Sequence, residues 1–116
     1  MKKEENIINK ILATIDQYKF YFQNEKDLQS KIEKILLENK IKISREHSLD
    51  NKGVVDFFYE GIAFEIKIKG QKKSIYRQCR DYLSHPSVKA LVLISSFNMS
   101  LPKEIEGKPC FTYRLN

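Results

Sequence analysis

Two acidic residues stand in a segment whose pattern predicts a β-hairpin. Asp56 precedes the dipeptide Glu60-Gly61 and Glu65 follows it, with β-branched and aromatic residues on both sides. This pattern is typical of two strands joined by a two-residue turn. Counting outwards from the turn places Asp56 directly opposite Glu65, with the two Cβ atoms about 5 Å apart. Facing carboxylates repel each other, so a fold that keeps this pair is expected to hold a cation between them.

The donor atoms of this pair indicate which cation and which chemistry to expect. Carboxylate oxygens without histidine or thiolate suit Mg²⁺ or Mn²⁺ and argue against zinc. Such an ion can polarise a phosphoryl oxygen and lower the pKa of a bound water. Period-two alternation places Lys67 on the face of Glu65, where its ammonium could orient the attacking water or stabilise transition-state charge. The combination predicts metal-dependent hydrolysis of a phosphodiester.

A third carboxylate can come from a predicted helix that begins after Asn24, a favourable N-cap residue, and runs to about residue 39. At ~100° per residue, Glu25 lies roughly 40° from the centre of the buried stripe, Gln29 about 80° and Glu33 about 120°. Glu25 is therefore the acid best aimed at the body of the protein, although an acid in the first turn also complements the helix dipole. The stripe consists of Leu28, Ile32, Ile35 and Leu36.

Positive charge is concentrated just after the hairpin. The formal net charge is +6, whereas residues 1–39 carry seven basic and seven acidic side chains. A localised basic patch favours a polyanionic partner, of which nucleic acid is the commonest. The alternative to a nucleic-acid site is a surface that faces only solvent. In that case the lysines, Lys67 included, only balance the charge of nearby acids. In the acid-free run 67–80, the side chains expected to contact nucleic acid are Lys69, Lys72, Lys73, Arg77 and Arg80.

The first predicted element is an amphipathic helix over residues 4–22. Its apolar residues recur at helical spacing and form one wide stripe. Such a stripe must cover either the core or a partner. The core is the favoured interpretation, and a contact in a homodimer stays open. The stripe consists of Ile7, Ile8, Ile11, Leu12, Ile15, Tyr18 and Phe22.

The remaining segments predict strands and one more helix. His47 lies in a predicted strand, and no second metal ligand stands at a suitable spacing from it. Gln78 borders the buried stripe of the predicted helix 74–84. A hairpin followed by a strand–helix–strand crossover is typical of an α/β fold, a mixed β-sheet flanked by helices. The expectation is a single domain, with an extra helix over 1–22 and a core over 24–116. The predicted segments are a strand at 41–47, a turn at 50–53, the hairpin at 54–69, a helix at 74–84, a strand at 88–94, a loop at 95–107 and a strand at 110–115.

Composition restricts the class of protein. The chain has 116 residues, 41% hydrophobic and 31% charged, which is typical of one soluble globular domain. No stretch approaches the ~20 apolar residues of a membrane span, and the N-terminus lacks an apolar signal core, so a cytoplasmic location is expected. Cys79 and Cys110 lack metal-like spacing and are expected to be reduced. No small-molecule cofactor is indicated.

Asp56 and Glu65-Ile66-Lys67, in the order αβββαβ, resemble the PD-(D/E)XK nuclease superfamily. The segment Asn24–Gln29 is similar to the first motif of archaeal Holliday-junction resolvases and of small phage and mobile-element nucleases. The resemblance covers roughly residues 24–116 and implies a restriction-endonuclease-like core. Three further segments that look like short phage proteins of this superfamily are Arg45-Glu46-x-x-Leu49, Arg77-Gln78-x-x-x-Tyr82 and Leu101-Pro-x-x-Ile105-x-Gly107-Lys108-Pro109.

The resemblance implies a Mg²⁺-dependent DNA endonuclease of phage or mobile-element origin, and the preference for DNA over RNA depends on it alone. Val55 stands where the superfamily's name-giving motif has proline, a residue that many members lack. Because the superfamily includes inactive members, a DNA-binding module without catalysis stays an alternative, as does an interaction protein whose first helix docks a partner. The implied metal ligands are Glu25, Asp56, Glu65 and the main chain of Ile66; the implied catalytic set is Glu25, Asp56, Glu65, Lys67 and Gln78, the last in a supporting role.

Overall fold

Helices and strands follow each other in the order that the hydrophobic spacing predicts. The computed structural model describes residues 2–115, and none of the helices in this range is long and apolar enough to cross a membrane. The helices are α1 (Lys2–Asp16), α2 (Glu25–Glu38) and α3 (Lys72–Leu83). The strands are β1 (Ser44–Ser48), β2 (Val54–Tyr59), β3 (Ile62–Lys67), β4 (Ala90–Ser95), β5 (Glu104–Ile105) and β6 (Lys108–Arg114).

The strands form one mixed sheet in the order β1-β2-β3-β4-β6-β5. β1, β2 and β3 are successive antiparallel neighbours, and β5 is antiparallel to β6. β3, β4 and β6 run parallel, because α3 carries the chain from β3 back to the start of β4. The predicted α/β class, a mixed sheet flanked by helices, is confirmed.

The hairpin between β2 and β3 has the predicted two-residue turn. Tyr59 pairs with Ile62, so only Glu60 and Gly61 lie between the strands. Both turn residues have positive φ, 52° at Glu60 and 82° at Gly61, as type I′ hairpin turns require. The right-handed twist of this turn matches that of the strands, and it sets the register that carries Asp56 towards Glu65.

The sheet separates two apolar cores. One core lies against α1 and α2 and contains Phe57 and Phe64 from the hairpin. The other lies against α3 and contains Cys79 and Leu83 from that helix. β4 is buried along its whole length, as predicted for a strand that is covered on both faces.

The first helix is shorter than predicted. The prediction was a helix over 4–22, but α1 ends at Asp16 and the chain then becomes irregular. Phe20 and Phe22, two residues apart, both pack against the core on the α1 side. That spacing belongs to an extended chain and overrides the helical spacing of Phe22. The stripe of α1 itself is buried within the chain, at Ile8, Ile11 and Ile15.

Smaller differences follow from local backbone geometry. The predicted strand 41–47 is β1 from Ser44, because Lys40 ends α2 in a left-handed conformation and the chain turns before pairing begins. Ile41 and Ile43 are buried without belonging to the sheet ladder. The predicted loop 95–107 contains the two-residue strand β5, which is too short to show a period.

Candidate metal centre

Regular pairing in the sheet is interrupted at Asp56. The β1–β2 pairs on both sides keep one register, yet Glu46 and Asp56 between them do not pair. The β2–β3 ladder ends one residue short of the Asp56–Glu65 position. Val55 and Phe57 lie in opposite cores, although residues two apart in a regular strand share a face. The backbone therefore deforms at Asp56, and such irregularities are over-represented next to active sites.

The two acids occupy the opening that this deformation leaves. The Ile66 N–H donates to Asp56 Oδ2 at 2.7 Å, and the Asp56 N–H donates to Glu65 Oε1 at 3.2 Å. Each carboxylate thus replaces a ladder bond that the parting strands no longer make. The predicted register brings the two acids together, but as main-chain acceptors rather than as a regular facing pair.

Glu25 contacts the main chain just after β3. The Ile68 N–H, one residue beyond the end of that strand, donates to Glu25 Oε2 at 3.2 Å. The N–H and the carbonyl of one strand residue point to the same edge, so the Ile66 carbonyl lies on the edge whose N–H binds Asp56. The carboxylates of Asp56 and Glu25 thus contact main-chain groups that are two residues apart.

Two polar neighbours of Glu25 on α2 have another role. The Arg45 guanidinium on β1 contacts Glu33 Oε1 at 3.1 Å and Gln29 Oε1 at 3.4 Å. These contacts fasten α2 to the edge strand of the sheet. Glu25 lies one turn earlier, after the predicted cap at Asn24, whose side chain accepts from the Asp27 N–H at 2.8 Å. Of the three candidates on α2, Glu25 is the one that meets the main chain of β3.

The pKa values of Asp56 and Glu65 are both raised, so a nearby positive charge would favour their ionised forms. Burial raises the pKa of Glu65 to about 8, and the neighbouring Asp56 carboxylate adds to the increase. The pKa of Asp56 is also raised, chiefly by burial, and Glu25 raises it further, while the Ile66 N–H and Lys67 lower it. The side chain of Glu65 is only 4% exposed, so water cannot screen the pair effectively.

Lys67 supplies part of that charge. Its Nζ lies 3.4 Å from Glu65 Oε2, on the face predicted from strand alternation. It also lines a cleft of about 260 Å³ between the end of β3 and the start of α3. The ammonium therefore lies between the buried carboxylate and an open space. The other lining residues are Lys69, Gly70, Gln71, Ser74, Ile75 and Gln78.

Whether these residues fit a divalent ion depends on their donor atoms and spacing. Across residues 2–115, no three His, Cys, Asp or Glu side chains are gathered closely enough to hold a metal ion. The reason is that Glu25 bonds at Ile68, two residues beyond the main-chain group that binds Asp56. Two carboxylates and one carbonyl nevertheless form an all-oxygen set, and Mg²⁺ ordinarily keeps several waters. The oxygen donors of Asp56, Glu65 and Ile66 are thus chemically suited to Mg²⁺, with Glu25 close by at Ile68.

Gln78 lies beside Tyr82 on α3. Burial raises the pKa of the Tyr82 hydroxyl and the Gln78 side chain lowers it, while the hydroxyl donates to the Val54 carbonyl at 2.9 Å. Gly53 permits this approach, because a Cβ there would lie 3.0 Å from the tyrosine ring. The pair braces β2 two residues before Asp56, a positioning role that fits the supporting role expected for Gln78. The sequence placed Tyr82 only in an apolar stripe and missed its hydroxyl bond.

The predicted phosphate-binding run divides into two places. Lys69 lines the clefts on the carboxylate side, next to Lys67 and next to Glu25. The other cations lie along an open groove of about 320 Å³ on the outer side of α3, with Tyr76 and Met99. The cations of the run therefore line separate clefts, because helical geometry turns the α3 side chains away from Lys69. The groove cations are Lys72, Lys73, Arg77 and Arg80.

Lys26 is a site residue that sequence reasoning missed. Its Nζ forms an ion pair with Glu46 Oε2 at 2.7 Å, and its charge lowers the pKa of Asp56. It lines a cleft of about 410 Å³ with Glu25, Ile68 and others. The signal available in the sequence was its position directly after Glu25, because a side chain next to a candidate metal ligand lies near the same site.

Histidine and cysteine contribute little to this centre. The His47 ring stacks on Phe58 with centroids 4.2 Å apart, which is a packing role. Cys79 and Cys110 are both free and buried. Burial raises the pKa of Cys79 to about 12, with a further increase from the Glu65 charge, so the thiol stays protonated. The chemistry is therefore that of oxygen donors and lysine.

Known proteins provide no further constraint on these assignments. Comparison of the chain with protein-family models, curated proteins and solved structures found no significant match. Functional inference therefore depends on the acids, the lysines and the grooves described above, together with the motif resemblance.

Proposed function

We propose that the chain is a Mg²⁺-dependent DNA endonuclease of the PD-(D/E)XK superfamily, of phage or mobile-element origin. The observation that carries the proposal is the buried Glu65 beside the half-buried Asp56 at a break in the sheet, with Lys67 3.4 Å from Glu65. Two ionised acids held together in a largely buried site destabilise the fold unless a cation compensates their charge. A purely solvated hairpin face, the structural alternative, does not explain why Glu65 is buried.

Metal binding is assigned to the strand edge. Asp56, Glu65 and the Ile66 carbonyl would hold Mg²⁺, and Glu25 would join directly or through water. When bound, the ion would polarise a phosphoryl oxygen and lower the pKa of a water molecule. Asp56 and Glu65 keep their orientation through main-chain hydrogen bonds, so the ligands are preorganised on rigid strands.

Lys67 is assigned to the substrate. Its ammonium lies between Glu65 and the cleft, so it can donate to the attacking water or to a non-bridging phosphate oxygen. Gln78 and Tyr82 act on position, because they brace β2 beside Asp56.

DNA contact is assigned to the two groups of cations. Lys69 would bind phosphates next to the scissile bond, and the α3 groove would bind the backbone farther along the duplex. Neutralising phosphates releases counterions, so binding should weaken steeply with salt. Lys72 and Lys73 begin a helix that has no acid in its first turn and no side-chain cap, an arrangement that favours an anionic partner.

A non-catalytic DNA-binding module is the second candidate. The observation that favours it is that Glu25 accepts a hydrogen bond from the Ile68 N–H. No three acidic side chains of residues 2–115 lie close enough together to hold a metal ion. Such a module would use the α3 groove alone. It predicts salt-dependent DNA binding that needs no metal and survives loss of the acids.

Cleavage of DNA decides between these functions. The protein is incubated with supercoiled plasmid, linear duplex and a four-way junction, with Mg²⁺ or with EDTA. Asp56→Asn and Glu65→Gln are compared with Glu60→Gln, an exposed carboxylate in the turn of the same hairpin. The nuclease predicts metal-dependent cleavage that the first two substitutions abolish and Glu60→Gln retains. If clean protein cleaves none of the substrates but binds them in EDTA, the second candidate replaces the first.

A further inference from the structure

The segment between α1 and α2 exposes two tyrosines to water. Tyr21 is 73% exposed and Tyr18 is 40% exposed. Phe20 and Phe22 of the same segment pack against the core. Because an extended chain sends alternate side chains to opposite sides, burying these two phenylalanines directs Tyr21 outwards. The core therefore does not require an aromatic ring at position 21.

These tyrosines form one wall of an open groove of about 310 Å³, and the C-terminal half of α2 forms the other. Three lysines line the groove against one acid, so its charge is complementary to a polyanion. Lys31 is held by the Tyr21 carbonyl and by Asp27, whereas Lys19 and Lys34 form no ion pair within residues 2–115. The polar and aromatic lining consists of Tyr18, Lys19, Tyr21, Lys31, Lys34 and Glu38.

We propose that this groove binds single-stranded DNA. Exposed aromatic rings on which bases stack, interleaved with lysines that follow the phosphates, are the recurrent means of holding a single strand. Bases within a duplex are already stacked on each other and cannot reach the tyrosine rings. A purely apolar partner would leave Lys19 and Lys34 without compensation, so the charge of the lining favours the nucleic acid.

The groove is mechanically joined to the acidic centre. Asp27 accepts the Gln23 N–H at 3.0 Å and pairs with Lys31 at 3.2 Å, which fastens the tyrosine segment to the first turn of α2. That turn carries Glu25. Tyr21 precedes Glu25 by four positions, so their Cα atoms are at most about 14 Å apart. If the proposed nuclease function holds, on which this step depends, the substrate is DNA with a single-stranded stretch a few nucleotides from the cleavage point.

A fluorescence experiment tests the groove directly. The chain contains no tryptophan, so Tyr21→Trp introduces a single reporter into the groove. Leu37→Trp is the matched control, because Leu37 is 48% exposed on α2 and does not line the groove. Oligothymidine in EDTA should quench the indole fluorescence of the Tyr21→Trp variant in a saturable, salt-sensitive manner and leave that of the Leu37→Trp variant unchanged. Equal quenching of both reporters, or of neither, would overturn the proposal.

Affinities from fluorescence anisotropy provide the second readout. Tyr21→Ala should weaken oligothymidine binding roughly 5- to 30-fold, the effect of losing one stacked base, and leave blunt duplex binding unchanged. Unchanged duplex binding by Tyr21→Ala excludes misfolding as the cause, and Tyr21→Trp, which keeps an aromatic ring, should retain the wild-type affinity. An unchanged affinity in Tyr21→Ala contradicts the proposal, and tighter binding of oligouridine contradicts its assignment to DNA. Because EDTA prevents metal-dependent cleavage, these results stand or fall independently of the nuclease assay.

Discussion

At the scale of single residues, Glu65 connects stability to proposed function. Its carboxyl is buried beside Asp56 and receives one N–H and one lysine as partners. Partial compensation of this kind leaves the ionised carboxyl under electrostatic strain. The strain makes two residue-level predictions possible.

The first prediction concerns pH. Burial raises the pKa of Glu65 from 4.5 to about 8, so the folded state binds this proton more tightly than the unfolded state. The stabilising contribution is complete below pH 4.5 and is lost as the pH rises through 8. Urea denaturation in EDTA should therefore show Glu65→Gln more stable than wild type at pH 8, with the difference shrinking towards pH 5. Glu60→Gln should follow wild type, and a wild-type stability that does not fall over this range would contradict the assignment.

The second prediction separates catalysis from binding at two nearby lysines. Lys67→Met keeps the aliphatic stem but removes the ammonium beside Glu65, so the single-turnover cleavage rate should fall about 10²- to 10³-fold at saturating enzyme. Lys69→Met is the matched control, since Lys69 is exposed. It should lower DNA affinity and reduce the salt slope by about one without a comparable loss of rate. Equal effects of the two substitutions would remove the catalytic role of Lys67.

At the scale of elements, α3 combines a helix start with a basic surface. Lys72 and Lys73 are exposed at the positive end of the helix dipole, where lysine is unfavourable for stability. The same two residues line the α3 groove together with Arg77 and Arg80. This arrangement costs stability and collects positive charge, which is consistent with the proposed binding of DNA phosphates.

Reversing the charge at this helix start is the third prediction. Lys72→Glu with Lys73→Glu should raise the free energy of unfolding by about 0.3–1 kcal/mol per residue, because the acids complement the dipole. The same change should weaken DNA binding and flatten its salt dependence. Lys2→Glu with Lys3→Glu makes an equivalent change at the start of α1, away from the groove, and should leave DNA affinity nearly unchanged. Denaturation curves and salt titrations measure both effects, and weakened binding in both double variants would point to net charge instead.

At the scale of the whole molecule, the sheet holds the acids between the two layers of helices. α2 brings Glu25 from one face, the hairpin brings Asp56 and Glu65, and α3 brings Gln78 from the other face. The apolar stripe of α1 packs against the core of its own chain. A homodimer stays a prediction, because cutting both strands of DNA with one site per chain favours two chains. Its interface would require another surface.

Metal binding should be visible in global stability, which is the fourth prediction. A ligand that binds only the folded state stabilises it by about 2.7 kcal/mol at a concentration one hundred times its Kd. Millimolar Mg²⁺ should therefore raise the Tm of wild type and of Glu60→Gln. Asp56→Asn and Glu65→Gln should not respond, and Glu25→Gln should respond weakly if its contact is through water. A thermal shift that is the same in all variants would assign the ion to another place.

The sequence by itself determined the features that depend on local periodicity. Alternation and turn chemistry predicted the hairpin, its two-residue loop and the face of Lys67, and helical spacing aimed Glu25 inwards. These predictions succeeded because register and helix phase are properties of neighbouring residues. The α/β class followed from the order of the elements.

Only the tertiary structure decided how the elements meet. α1 ends at Asp16 because Phe20 and Phe22 pack against the core as an extended chain. The cations of the α3 groove line a different cleft from Lys69. Glu33 contacts Arg45 rather than the acidic centre. The break at Asp56 likewise depends on strands on both of its sides. Such outcomes are set by competition among contacts distant in sequence, and no local pattern records which contact has the lower free energy.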